Sequence, residues 1–160
     1  MESQHNIQEK IYADVNDIKL FENAQKFGHD YLENIFDRNV YPTEAALENL
    51  KAFDEPMPLV PGDAKEVLQF LNTIGAPATV ATTGGRYFGF VCGSAVPIGL
   101  AAKSLATYWD QSPTMHVLSP IGSKLETVTE SWLKELLNLP ARTVAGFVSG
   151  TSSANLCALA

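Results

Sequence analysis

Only one stretch of the chain, Thr143 to Val148 (TVAGFV), has the β-branched, uncharged character of a buried strand. Around it the periodicity writes about five helices. A lone strand leaves its backbone donors and acceptors without ladder partners. The expected fold is therefore mainly α as the chain stands, with the sheet for this strand supplied by residues beyond it or by a second chain.

The helices follow from spacing and punctuation. From Asn16 to Arg38, the residues Phe21, Ala24, Phe27, Tyr31, Ile35 and Phe36 recur on one face of a helix. Residues 1 to about 15 are polar and read as mobile or packed on a partner. YPTEAALENLKAF predicts a short helix after Pro42. Asp63, with Glu66 three residues on, predicts a capped helix carrying Val67, Leu68, Leu71 and Ile74 as far as Gly75. The stretch APATVATTGGRYFGFVCGSAVP is rich in glycine and free of acids, which predicts a compact loop region. A helix is expected from Pro97 to Trp109, and another capped by Ser119 with Pro120 at its first position. Leu125, Val128, Trp132, Leu133, Leu136 and Leu137 are its expected buried stripe, and Pro140 its stop.

Composition excludes several functions. The formal net charge is −7, and the 11 basic residues are scattered, so nucleic acid is not the expected partner. No apolar run is long enough to cross a membrane and no secretory leader opens the chain, so the expected location is cytoplasmic. Cys92 and Cys157 have no metal-ligand spacing and read as small buried hydrophobes. His5, His29 and His116 lie too far apart in sequence to suggest a catalytic triad or a metal site.

The chemistry gathers where the strand ends. Ser149-Gly150-Thr151-Ser152-Ser153 stands between the strand and a stretch of Ala, Asn and Leu that reads as a helix. Glycine permits a close turn, the first helical N–H groups lack acceptors, and the helix dipole favours an anion there. Two readings fit: an ordinary helix N-cap by Ser or Thr, or a phosphate cradle, for which three consecutive hydroxyls supply donors beyond what capping needs. No Gly-Lys-Ser/Thr and no G-x-G-x-x-G is present, and Gly146-Phe147-Val148-Ser149-Gly150 places its serine one position late for a hydrolase elbow.

Taken in order, Ser119-Pro120, Leu125-Glu126, Trp132-Leu133, Leu139-Pro140, Ser149-Gly150 and Ala154-Asn155-Leu156 resemble the group II amino acid decarboxylases, which use pyridoxal 5'-phosphate. The segment RYFGFVCGS is similar to their aromatic pocket segment, and the likeness runs from about residue 20 to the end. The family commonly has Gly-Gly-Thr-Glu where this chain has Gly150-Thr151-Ser152-Ser153; threonine for the second glycine keeps the backbone N–H and adds a hydroxyl.

The resemblance implies an N-terminal part of an α/β fold type I transferase, ending just after the first strand of the large domain. It divides the chain into a helical, dimer-wrapping segment (1–90) and the start of the cofactor domain (91–160). Gly150, Thr151 and Ser152 would hold the phosphate; Phe88, Phe90, Val91, Cys92 and Gly93 would wall the pocket of an amino acid substrate. A homodimer is implied. The family's Schiff-base lysine and the acid facing the pyridinium lie downstream of the phosphate loop, whereas the last lysine here is Lys134. The expectation is an N-terminal piece with no catalytic residue of its own, inactive by itself. Two alternatives stand beside decarboxylation: other chemistry on the same cofactor, such as transamination or aldehyde formation, and a non-catalytic helical association module.

Overall fold

The structure is a computed structural model and describes residues 2–92 and 95–160. Its backbone divides into two compact units, residues 1–95 and 96–160.

The first unit begins with α1 (Glu2–Asn16), a helix where the sequence suggested a mobile or partner-packed terminus. Ile7, Ile11, Tyr12 and Val15 recur at helical spacing, and all four are exposed by about half. Asp17 then interrupts the helical run: its carboxylate accepts from the Lys19 amide at 3.2 Å and caps α2 (Ile18–Glu33). That helix stops five residues short of Arg38, because the Asn34 amide side chain bonds back to the Asp30 carbonyl at 2.7 Å and a turn follows. The turn buries Ile35 and leaves Phe36, expected on the same stripe, 70% exposed.

Thr43 caps α3 (Glu44–Asn49), which tightens into a 3₁₀ turn over Leu50–Phe53. Asp63 caps α4 (Ala64–Phe70), accepting from the Lys65 and Glu66 amides at 2.9 and 3.1 Å. Beyond α4 the chain widens into a π-turn over Leu71–Gly75 and tightens to 3₁₀ over Ala76–Ala78, where Pro77 has no N–H to extend a ladder. The small core gathers Ile35, Ala46 and Ala81. Gly84 fits closely there, since a Cβ would stand 3.3 Å from the carbonyl oxygens of both Ala81 and Ile35, tighter than ordinary contact. Arg38 knits the same region: its guanidinium lies 4.4 Å above the Tyr31 ring and donates to the Ala76 carbonyl.

The second unit holds α5 (Pro97–Trp109), α6 (Pro120–Leu136) and α7 (Thr151–Leu159). Prolines at the first positions of α5 and α6 sit where the missing N–H costs nothing. Ser119 is fully buried, and its hydroxyl accepts from the Gly122 amide at 3.2 Å. Asn138, in the left-handed region at φ 51°, ends α6 before Pro140 is reached, and the Leu139 amide closes back on the Lys134 carbonyl at 2.9 Å.

Two apolar stretches of the second unit depart from what the sequence predicts. Residues 143–148 carry no helix but also no ladder, and no strand forms among the described residues. Val144, Phe147 and Val148 are exposed rather than buried, as follows when an extended segment has no neighbouring strand. The stripe on α6 is likewise uncovered: Leu125, Trp132, Leu136 and Leu137 are exposed, and Val128 and Leu133 only half-buried. Periodicity identified the apolar face; burying it requires a facing element.

Candidate functional site

The hydroxyl turn lies wholly within the second unit. Gly150 occupies the N-cap of α7, and the first helical bond runs from the Ala154 amide to the Gly150 carbonyl at 3.0 Å. Thr151, Ser152 and Ser153 therefore form the first turn, with their amides ahead of the first intrahelical donor. No side chain caps this end, so the reading of a Ser or Thr N-cap is not what the geometry shows. Gly150 is extended at φ 179°, and a Cβ there would meet nothing within 4 Å, so its place needs no glycine for steric reasons.

The three hydroxyl residues are exposed, and no charged residue occurs from Thr143 to Ala160. Free amides, hydroxyl donors, the positive end of a helix dipole and no nearby carboxylate in the segment make a donor set suited to a phosphate.

The chain enters this turn along α6. The Ala145 amide donates to Glu130 Oε2 at 3.0 Å, and Lys134 Nζ donates to Glu130 Oε1 at 2.8 Å. These two contacts, led by the Lys134 hydrogen bond, hold the Glu130 carboxyl below the usual carboxylate range. No sequence pattern marks a contact of this kind, in which a helix side chain reaches a backbone group fifteen residues on.

The aromatic segment belongs to the first unit. Phe88, Phe90 and Val91 are almost entirely exposed, at 92, 93 and 103%, and Cys92 is exposed beside them. Phe90 and Val91 both lie in the left-handed region, at φ 55° and 58°, which is strained for an aromatic and for a β-branched residue. The Cys92 amide closes this turn on the Gly89 carbonyl at 3.2 Å. Burial, with the Cys92 thiol alongside, pushes the Tyr87 hydroxyl above its usual range. Gly93 lies outside the described residues. Cys157 is exposed as well, so neither thiol is the buried hydrophobe that the sequence suggested.

A groove of about 500 Å³ runs between α2 and α4, lined by Asn23, Phe27, Lys65, Gln69, Phe70 and Ile74 among others. Beside it the Lys65 ammonium meets the Asp17 carboxylate at 2.5 Å. This hydrogen bond lowers the Asp17 pKa and raises that of Lys65. Among the described residues no group of three or more His, Cys, Asp or Glu could hold a metal ion. No helix among them is long and apolar enough to cross a membrane.

No family model matches the chain, and no solved structure matches it. Over 105 residues, 66% of its length, it is 33% identical to an aromatic-L-amino-acid decarboxylase of Bacillus atrophaeus. The chain spans 22% of that protein.

Proposed function

We propose that this chain forms the phosphate-gripping part of a pyridoxal-phosphate-dependent amino acid decarboxylase. The observation that carries the reading is the uncapped first turn of α7, where three amides and three hydroxyls stand free of carboxylates in the segment. The similarity to an aromatic-L-amino-acid decarboxylase supports it and makes aromatic L-amino acids the first substrates to test.

In this reading the Thr151 and Ser152 hydroxyls and the amides following Gly150 donate to phosphate oxygens, and the dipole of α7 adds to their hold. The bound cofactor supplies an electron sink for the pair left when carbon dioxide departs. Phe88, Phe90, Val91, Cys92 and Gly93 form the wall that shields the substrate side chain from water. The exposure of Phe88, Phe90, Val91 and Cys92 gives those four side chains surface to bury. The apolar face of α1, with Ile7, Ile11, Tyr12 and Val15, serves a homodimer, as exposed stripes of this width commonly do. Residues 1–90 are the associating segment and 91–160 the start of the cofactor-binding part.

Titration of the ¹⁵N-labelled chain with pyridoxal 5'-phosphate tests this, with inorganic phosphate alongside. The largest amide shifts should fall at Thr151, Ser152 and Ser153 with both ligands, and Ser152→Ala should weaken both. Shifts centred elsewhere, or none, overturn the assignment.

A further inference from the structure

The segment before the hydroxyl turn has no sheet to hold it, yet it is not loose. Thr143 and Ala145 are half-buried while Val144 and Gly146 are exposed, the alternation of an extended stretch with one edge turned inward. At the centre of that inner edge the Ala145 amide reaches Glu130 Oε2 at 3.0 Å. Glu130 is three-quarters buried and shares its other oxygen with Lys134, one turn further along α6. An amide donor bound to an ionised acceptor makes a stronger bond than a neutral pair, and the lysine keeps the acceptor ionised. From Ala145 only four residues lead to Ser149, so the point where the segment is pinned sets where the turn begins.

We propose that Glu130 is a positioning residue whose carboxylate latches residues 143–148 to α6 and fixes the entry of the chain into the Ser149–Ser153 turn. The consequence for phosphate rests on the proposed function; the latch does not. The docked segment carries no titratable side chain, and the charged group facing the carboxylate is Lys134. Because the Glu130 pKa is lowered, the latch has its full charge-assisted strength at neutral pH and weakens only as pH falls below the usual carboxylate range.

Amide hydrogen exchange and the Ala145 amide proton resonance in the whole chain test this at three substitutions. Glu130→Ala should speed exchange at Ala145 roughly tenfold, the loss of one charge-assisted bond. Glu130→Gln keeps an acceptor and should retain most of the protection. Lys134→Met should raise the pH at which the Ala145 resonance titrates. In the unsubstituted chain that resonance should move in acid with the Glu130 carboxyl, and in Glu130→Gln it should not move. Unchanged exchange in Glu130→Ala, or an Ala145 resonance indifferent to Glu130, overturns the latch even if phosphate binds at Ser152. If Ala145 behaves as expected while phosphate leaves residues 151–153 untouched, the latch is upheld and the phosphate assignment is what fails.

Discussion

Replacing Ser119 by alanine removes a single oxygen from the best-buried side chain among the described residues. Ser119 has no exposure, and its hydroxyl is the acceptor for the Gly122 amide at the start of α6. Loss of a serine N-cap costs about 0.5–2 kcal/mol. The upper half of that range applies, because the Ser119 side chain is closed off from water and the bond that it accepts is part-buried; about 1.5 kcal/mol is expected. With a urea slope of about 1–3 kcal/mol per molar, the unfolding midpoint should fall by roughly 0.5–1.5 M. The assay is tryptophan fluorescence, since both tryptophans, Trp109 and Trp132, lie in the second unit and report on it alone. Ser123→Ala is the control: it makes the same chemical change inside α6, where alanine is the better helix former, and should leave stability level or slightly higher. Equal midpoints for the two variants would refute the capping account.

Three other outcomes follow from the first unit and the thiols. Ile35, 5% exposed at the centre of a small core, should cost about 2–5 kcal/mol on replacement by alanine, read by circular dichroism in urea; a loss under about 0.5 kcal/mol would place the core elsewhere. The Asp17 carboxyl is depressed chiefly by its bond to Lys65, so its contribution is present above its ordinary pKa of 3.8 and lost as pH falls through the lower folded value. Asp17→Asn, which keeps an N-cap acceptor, should flatten that acid-side loss, and an unchanged pH profile of stability would contradict the pairing. Cys92 and Cys157 should both react with a water-soluble thiol reagent in the folded chain, and protection of either would show burial that the structure lacks.

The sequence was most legible where a boundary is written in one or two residues. Pro97 opens α5, Ser119-Pro120 opens α6 and Asp63 caps α4, each decided by local chemistry. The hydroxyl turn was legible for the same reason, although the cap proved to be Gly150 and not a hydroxyl residue. A missed helix, α1, did carry a signal: Ile7, Ile11, Tyr12 and Val15 have helical spacing within a polar stretch. Burial was not legible, because an apolar stripe such as that of α6 says which face avoids water and not whether a neighbour covers it. The strand at Thr143 to Val148 failed similarly, since a ladder needs a second strand. Contacts that join distant residues, Asp17 with Lys65 and Glu130 with the Ala145 amide, leave no periodic trace at all.

The central claim is that this chain grips the phosphate of a cofactor used to decarboxylate an amino acid. Its most direct test is to isolate the protein that carries this sequence and measure bound pyridoxal 5'-phosphate together with carbon dioxide released from aromatic L-amino acids. The account predicts cofactor in stoichiometric amount, carbon dioxide release, and a Ser152→Ala variant that loses cofactor more readily with its substrate preference unchanged. A protein that holds no pyridoxal 5'-phosphate, or a Ser152→Ala variant that changes substrate preference while retaining the cofactor fully, would contradict it.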